Sequence, residues 1–128
     1  MRVNFFDTAG EEKYHAVTSA HYRKAVGVVI TYDITSVPSF IRARNWLDDV
    51  KEMADQHCII LLLGNKLDME DKRMIPREEG ETFARANNLM FYEVSALENI
   101  GVKEAIDHMC QRILELHLKL AKIEAIRY

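Results

Sequence analysis

The chain has 128 residues, 48% of them hydrophobic and 29% charged, with a formal net charge of −3, which allows one domain with a real core and excludes two. Lys and Arg are scattered rather than clustered, so there is no electrostatic footprint for nucleic acid or for an anionic membrane. The longest apolar runs, residues 25–30 and 58–63, are far too short to span a bilayer and no basic-then-apolar leader opens the chain, so a cytosolic, cytoplasmic product is expected.

In chain order, Arg2-Val-Asn-Phe-Phe6 alternates polar and apolar and runs directly into Asp7-Thr-Ala-Gly10, which predicts a strand ending in a small-residue turn. Residues 11–24 read as a polar loop with helical patches. Residues 25–33 (Ala-Val-Gly-Val-Val-Ile-Thr-Tyr-Asp) are β-branched and bounded by turn formers, which predicts a second, buried strand. Ser36-Val37-Pro38 then opens a helix, with Pro38 in the first turn, where a missing N–H costs nothing. Along it Phe40, Ala43, Trp46, Leu47, Val50 and Met53 or Ala54 form one apolar stripe, and Trp46 reads as core rather than as a stacking platform.

Residues 58–63 are a further apolar strand, breaking at Gly64 into Asn65-Lys66-Leu67-Asp68. Residues 69–74 read as a charged surface loop. Pro76-Arg-Glu-Glu opens another helix with carboxylates at its positive end, Phe83, Ala84 and Ala86 facing inward and Asn87-Asn88 ending it in a left-handed cap. Residues 89–94 form a strand delivering Ser95-Ala96-Leu97. Val102, Ala105, Ile106, Met109, Ile113 and Leu116 or Leu120 mark a long last helix. Alternating strands and helices predict one α/β domain with a mostly parallel sheet of about four strands and helices on its faces. Cys58 and Cys110 fit neither a disulfide framework nor a metal spacing, and the five histidines include no His-x-x-x-His pair.

Three polar turns follow strands: Asp7-Thr-Ala-Gly10-Glu11, Asn65-Lys66-Leu67-Asp68 and Ser95-Ala96-Leu97. In a parallel sheet all of them reach the carboxyl-end rim, where ligands bind. The chemistry at Asn65 to Asp68 suits guanine. The Asp68 carboxylate can accept two parallel hydrogen bonds from a ring N–H and an exocyclic amine, a donor pair that adenine does not offer at that edge. Asn65 can bridge the base and a neighbouring loop, and the Lys66 stem can lie over the ring face. Alone, the tetrapeptide is more often a solvated turn, so its companions carry the reading.

Together with Ala16-Val-Thr-Ser-Ala-His-Tyr-Arg-Lys-Ala-Val-Gly27 and Ile30-Thr-Tyr-Asp-Ile-Thr35, these turns resemble small GTPases of the Ras superfamily, and among them the Rab family. The resemblance runs from Arg2 to about Ile113. It implies that Asn65, Lys66 and Asp68 read the guanine, with Ser95, Ala96 and Leu97 as a second base contact in which the Ala96 N–H reaches the base carbonyl. It further implies that Asp7 holds Mg²⁺ through water and that Gly10 senses the terminal phosphate of GTP, the segment that follows switching with GTP or GDP. Glu11 falls on the position of the family's catalytic glutamine. A carboxylate there faces the γ-phosphate, so slow hydrolysis is expected of a longer form, while in this chain Glu11 reads as a solvated loop residue.

A phosphate cradle needs Gly-Lys-Ser/Thr after a glycine-rich loop. None of the five glycines precedes a lysine. The sequence therefore looks like the part of a Rab GTPase from switch II to the last helix, an incomplete P-loop NTPase fold of the small G-protein kind. About three base hydrogen bonds to charged groups, at roughly 1.5–3 kcal/mol each, only slightly exceed an association cost of about 4 kcal/mol or more. Guanine nucleotide binding by this chain is thus expected no tighter than about millimolar, with no catalysis.

Rab partners, effectors or regulators, are expected at the switch II region of Phe6, Tyr14 and His21. Phe6 stands where the family has Trp, and His21 where it has Tyr, so effector choice does not carry over. Residues 114–128 read as a helical extension without a prenylation cysteine, so no stable membrane anchor is expected. In the family's sheet the strands at Val3 and Val26 are not neighbours. Here the first of them is expected either to slide beside the second or to stay loosely ordered. The rival readings are a nucleotide-independent module that binds Rab partners, and an incomplete gene product.

Overall fold

A computed structural model describes residues 3–7, 26–54 and 56–127. Its elements are β1 (Val3–Asp7), β2 (Gly27–Asp33), α1 (Val37–Met53), β3 (Ile59–Asn65), a 3₁₀ segment (Leu67–Lys72), α2 (Arg77–Ala86), β4 (Met90–Glu93) and α3 (Val102–Arg127). The strands form a four-stranded sheet in the order β1-β2-β3-β4, all neighbours parallel. Of the two outcomes expected for the first strand, pairing beside β2 is the one found, with Val3 opposite Gly27 and Asp7 opposite Thr31.

Both faces of β2 and β3 are covered, which is why their sequences are continuous apolar runs rather than alternating ones. Val28, Ile30, Tyr32 and Leu62 point to the face packed by α1 and α2, among Phe40, Ala43, Trp46, Leu47, Val50 and Ala84. Val29, Leu61 and Leu63 point to the other face, against Ala105, Met109 and Ile113 of α3. Two successive parallel crossovers running the same way across the sheet, with one hand, place their helices on one face. The helix after β4 is left to cover the other.

Helix α1 starts where the Ser36 Oγ accepts the Ser39 N–H at 3.2 Å, a capping bond that satisfies one of the free first-turn donors. Trp46 is 8% exposed and sits in the core. Helix α2 approaches the sheet closely at Gly80, where a Cβ would lie 2.5 Å from the Tyr32 hydroxyl oxygen and 2.8 Å from the Phe91 ring. That approach rotates the helix so that Gly80 and Ala84 are buried, while Ala86, expected to face inward, is exposed. Asn88 takes the left-handed conformation expected of it, with φ 58°. The stretch 69–74, expected as a charged surface loop, is instead largely the 3₁₀ segment, none of whose residues is buried.

Candidate nucleotide-binding site

Strands β3 and β4 end side by side, and their ends set the site. The Val94 N–H donates to the Gly64 carbonyl at 2.8 Å and the Leu67 N–H donates to the Val94 carbonyl at 3.0 Å, so each loop is tied by backbone to the other. Two side-chain bonds complete the link. The Ser95 hydroxyl, fully buried, donates to Asp68 Oδ1 at 2.6 Å, and the Ala96 N–H donates to Asn65 Oδ1 at 3.0 Å.

These bonds decide which atoms are left for a ligand. With Oδ1 of Asn65 given to the opposite loop, its Nδ2 donors remain. With one lone pair of Asp68 Oδ1 taken by Ser95, the carboxylate is fixed in orientation, and Oδ2 and the second lone pair of Oδ1 remain as acceptors. The Ser95 oxygen also accepts the Glu98 N–H at 3.1 Å, and an antiparallel bridge joins Ser95 to Ile100. The small loop from Ser95 to Gly101 closes through two left-handed residues, Asn99 (φ 55°) and Gly101 (φ 77°). The Ala96 N–H, expected to meet a base carbonyl, is engaged by Asn65, so a carbonyl would share or take over that donor.

Lys66 is left-handed too, with φ 70°, and its ammonium meets Asp33 Oδ2 at 2.9 Å. Asp33 closes β2 directly opposite Asn65 in the ladder. Its Oδ1 accepts the Thr35 N–H at 2.8 Å and the Thr35 hydroxyl at 2.6 Å. Burial pushes the Asp33 carboxyl up, but the Thr35 hydroxyl, the Lys66 ammonium and the Thr35 N–H outweigh it and hold it below the usual carboxylate value.

Behind the rim lies a second polar group. Arg73 donates twice to Glu93, at 2.6 Å and 2.7 Å, and twice to Glu70, at 2.8 Å and 2.6 Å. It also donates to the Ile75 carbonyl at 2.9 Å. The Glu93 side chain is 1% exposed, so its charge is compensated almost wholly by this fork, with Arg77 further off at 3.6 Å. The hydrogen bonds to Glu93 and then Glu70 push the Arg73 pKa up, and the guanidinium stays charged.

A model of the Ras family matches residues 1–115. The chain belongs to the Ras family. Its similar proteins include Ras-related protein Rab-15 of Bos taurus, 38% identical over 127 residues, which are 99% of this chain and 59% of that protein. Ras-related protein Rab-11C of Dictyostelium discoideum is 43% identical over 111 residues, 87% of this chain and 50% of that protein. GTP-binding protein ypt3 of Schizosaccharomyces pombe is 42% identical over 116 residues, 91% of this chain and 54% of that protein. The chain thus spans between 50% and 59% of the length of these Ras-family relatives.

Within this Ras-family fold, Asn65, Lys66, Asp68, Ser95 and Ala96 come together at one corner of the rim, linked by the bonds above. Leu97 sits at the loop tip, 85% exposed, and joins none of those bonds. Asp7 ends β1 opposite Thr31. Gly10, Glu11, Tyr14 and His21 lie outside the described residues, as does the side chain of Phe6. Sequence reasoning missed Asp33 as a member of the corner, although Asp-x-Thr after a buried strand is the signal of a side-chain turn that fixes a carboxylate. It also missed the pairing of Arg73 with Glu93, for which 20 residues of separation leave no local signal.

Proposed function

We propose that this chain carries the guanine-reading part of a Rab-like small GTPase, a GTP/GDP-dependent switch serving vesicle traffic. The observation that supports this best is the linked corner of Asn65, Asp68, Ser95 and Ala96, which leaves an oriented carboxylate with acceptor sites on both oxygens and one amide donor pair. Those two groups match the donor and acceptor edge of guanine, and an adenine would leave Asp68 facing no donor. Asp7 and Gly10 would take the Mg²⁺ and phosphate roles in the family manner. Glu11, at the position of the catalytic glutamine, argues for slow turnover.

Titration of the 128-residue chain by heteronuclear NMR tests this. GDP should shift amides of residues 65–68 and 95–98 with a dissociation constant near millimolar, ADP should shift them less, and Asp68→Asn should move the preference from guanine to xanthine by about tenfold or more. Shifts elsewhere, or a base preference unchanged by Asp68→Asn, would remove Asp68 from the site.

A further inference from the structure

A lysine in the left-handed region is unusual, because its Cβ crowds the following carbonyl, and such positions are normally left to Gly, Asn or Asp. Lys66 adopts it at φ 70° and ψ 37°, between Asn65 and Asp68. Strain of this kind persists where the surroundings impose it, and it clusters at functional sites. From this turn the side chain crosses to the end of β2, where the ammonium meets Asp33 Oδ2 at 2.9 Å.

Asp33 is itself held from every side. Thr35 occupies its Oδ1 through both an N–H and a hydroxyl, leaving Oδ2 for the lysine. Its backbone N–H donates to the Oγ of the buried Ser39 at 2.9 Å, which anchors it to the start of α1. Its ladder partner is Asn65, the residue before Lys66. The acceptor is therefore rigid before the lysine arrives.

We propose, on the guanine-binding reading above, that Asp33 is a positioning residue for that site. By gripping the ammonium it fixes the Lys66 methylene stem at both ends, as a preformed apolar wall for the face of the base. The pair is too exposed to matter much for stability, the Lys66 side chain being 50% and that of Asp33 22% accessible. A free lysine would have to be ordered when the base binds, at a cost in affinity. The tether removes that cost beforehand, and the stem presents carbon rather than charge to the ring.

The test is an NMR titration of the chain with GMP, following the Lys66 side-chain methylene protons for the upfield ring-current shift of a stacked purine. Asp33→Asn should weaken GMP binding about fivefold and remove most of that shift. In a Lys66→Met background the same change should have no further effect. Should Asp33→Asn disturb the fold, Lys66→Met alone serves, because it keeps a stem, cuts the tether and lies at an exposed position; the same loss is expected. Wild-type affinity in both single variants, with the Lys66 shift retained in Asp33→Asn, would overturn the proposal and leave the base site standing. A wild-type chain that shows no response to GMP at residues 65–68 would overturn the base site itself and this proposal with it.

Discussion

Two polar groups lie within a few residues of each other at the ends of β3 and β4, and they differ in how far their carboxylates are closed off by partners. On the rim, Asp68 accepts from Ser95 and Asn65 from the Ala96 N–H, with polar atoms left over. Behind it, Arg73 and Glu93 form a closed set with the carboxylate 1% exposed. A half-exposed group that loses a partner finds water instead, whereas a buried charge that loses one finds nothing. Substitutions on the rim should therefore change what binds, and substitutions behind it should change whether the chain folds.

The largest effect is expected at Arg73. Arg73→Ala strands the Glu93 carboxylate with Arg77 at 3.6 Å as its nearest remaining cation among the described residues, and should destabilise the chain by about 3 kcal/mol, read by urea denaturation. A loss below about 1 kcal/mol would show that Arg77 or water substitutes freely, and the contrast between the two groups would collapse. Replacing both partners by apolar residues of similar shape, as in Arg73→Met with Glu93→Leu, should cost less than Arg73→Ala alone, because no bare charge is left.

Asp68→Asn comes next and acts on the other side of the comparison. It should reverse base preference by about tenfold or more while shifting stability by no more than about 1 kcal/mol, since an asparagine Oδ1 still accepts the Ser95 hydroxyl. Loss of folding instead of altered specificity would place Asp68 with the buried group.

Tyr32 sharpens the line between the two regions from within the core. Its hydroxyl is buried with no hydrogen-bond partner among the described residues, and burial, followed by the nearby Glu93 charge, pushes its pKa up. Tyr32→Phe removes a dehydrated hydroxyl that makes no bond. It should leave the chain as stable as before or up to about 1 kcal/mol more stable by thermal melting; a clear destabilisation would reveal a buried water or a bond to Glu93.

The smallest effect is a pH dependence. Asp33 has a folded-state pKa below its ordinary value, so its contribution to stability is complete above the unfolded carboxylate pKa, about 3.9, and is lost as pH falls through the lower folded value. Between about pH 5 and pH 2 the wild-type chain should lose up to about 1 kcal/mol more than Asp33→Asn. Parallel curves would mean that neither Thr35 nor Lys66 stabilises the ionised Asp33 carboxylate in the folded state.

Much of the fold was legible along the chain because its signals are local. The continuous apolar runs of β2 and β3, the Phe40 to Val50 stripe and the helix start at Ser36 or Val37 each need only their own neighbours to be read. Ala86 was misjudged for the converse reason: its helix faces the sheet through Gly80, and a glycine carries no hydrophobic signal to mark the buried side. At the candidate site, Asn65 and Asp68 stood out by residue type and by their place after a strand, and Ser95 and Ala96 through the family resemblance. Their mutual bonds did not, nor did the commitment of the Ala96 N–H to Asn65.

What the amino-acid order alone determined is the set of parts, the alternating strands and helices and the polar loops that follow the strands, since propensity, period and turn chemistry act over a few residues. Only the tertiary structure decided how the parts are used: which oxygen of Asp68 is spoken for, where the Lys66 ammonium is held, and that Arg73 neutralises Glu93. Those are contacts between residues far apart in sequence, created when parallel pairing brings strand ends together, and no local pattern encodes the distance at which they meet.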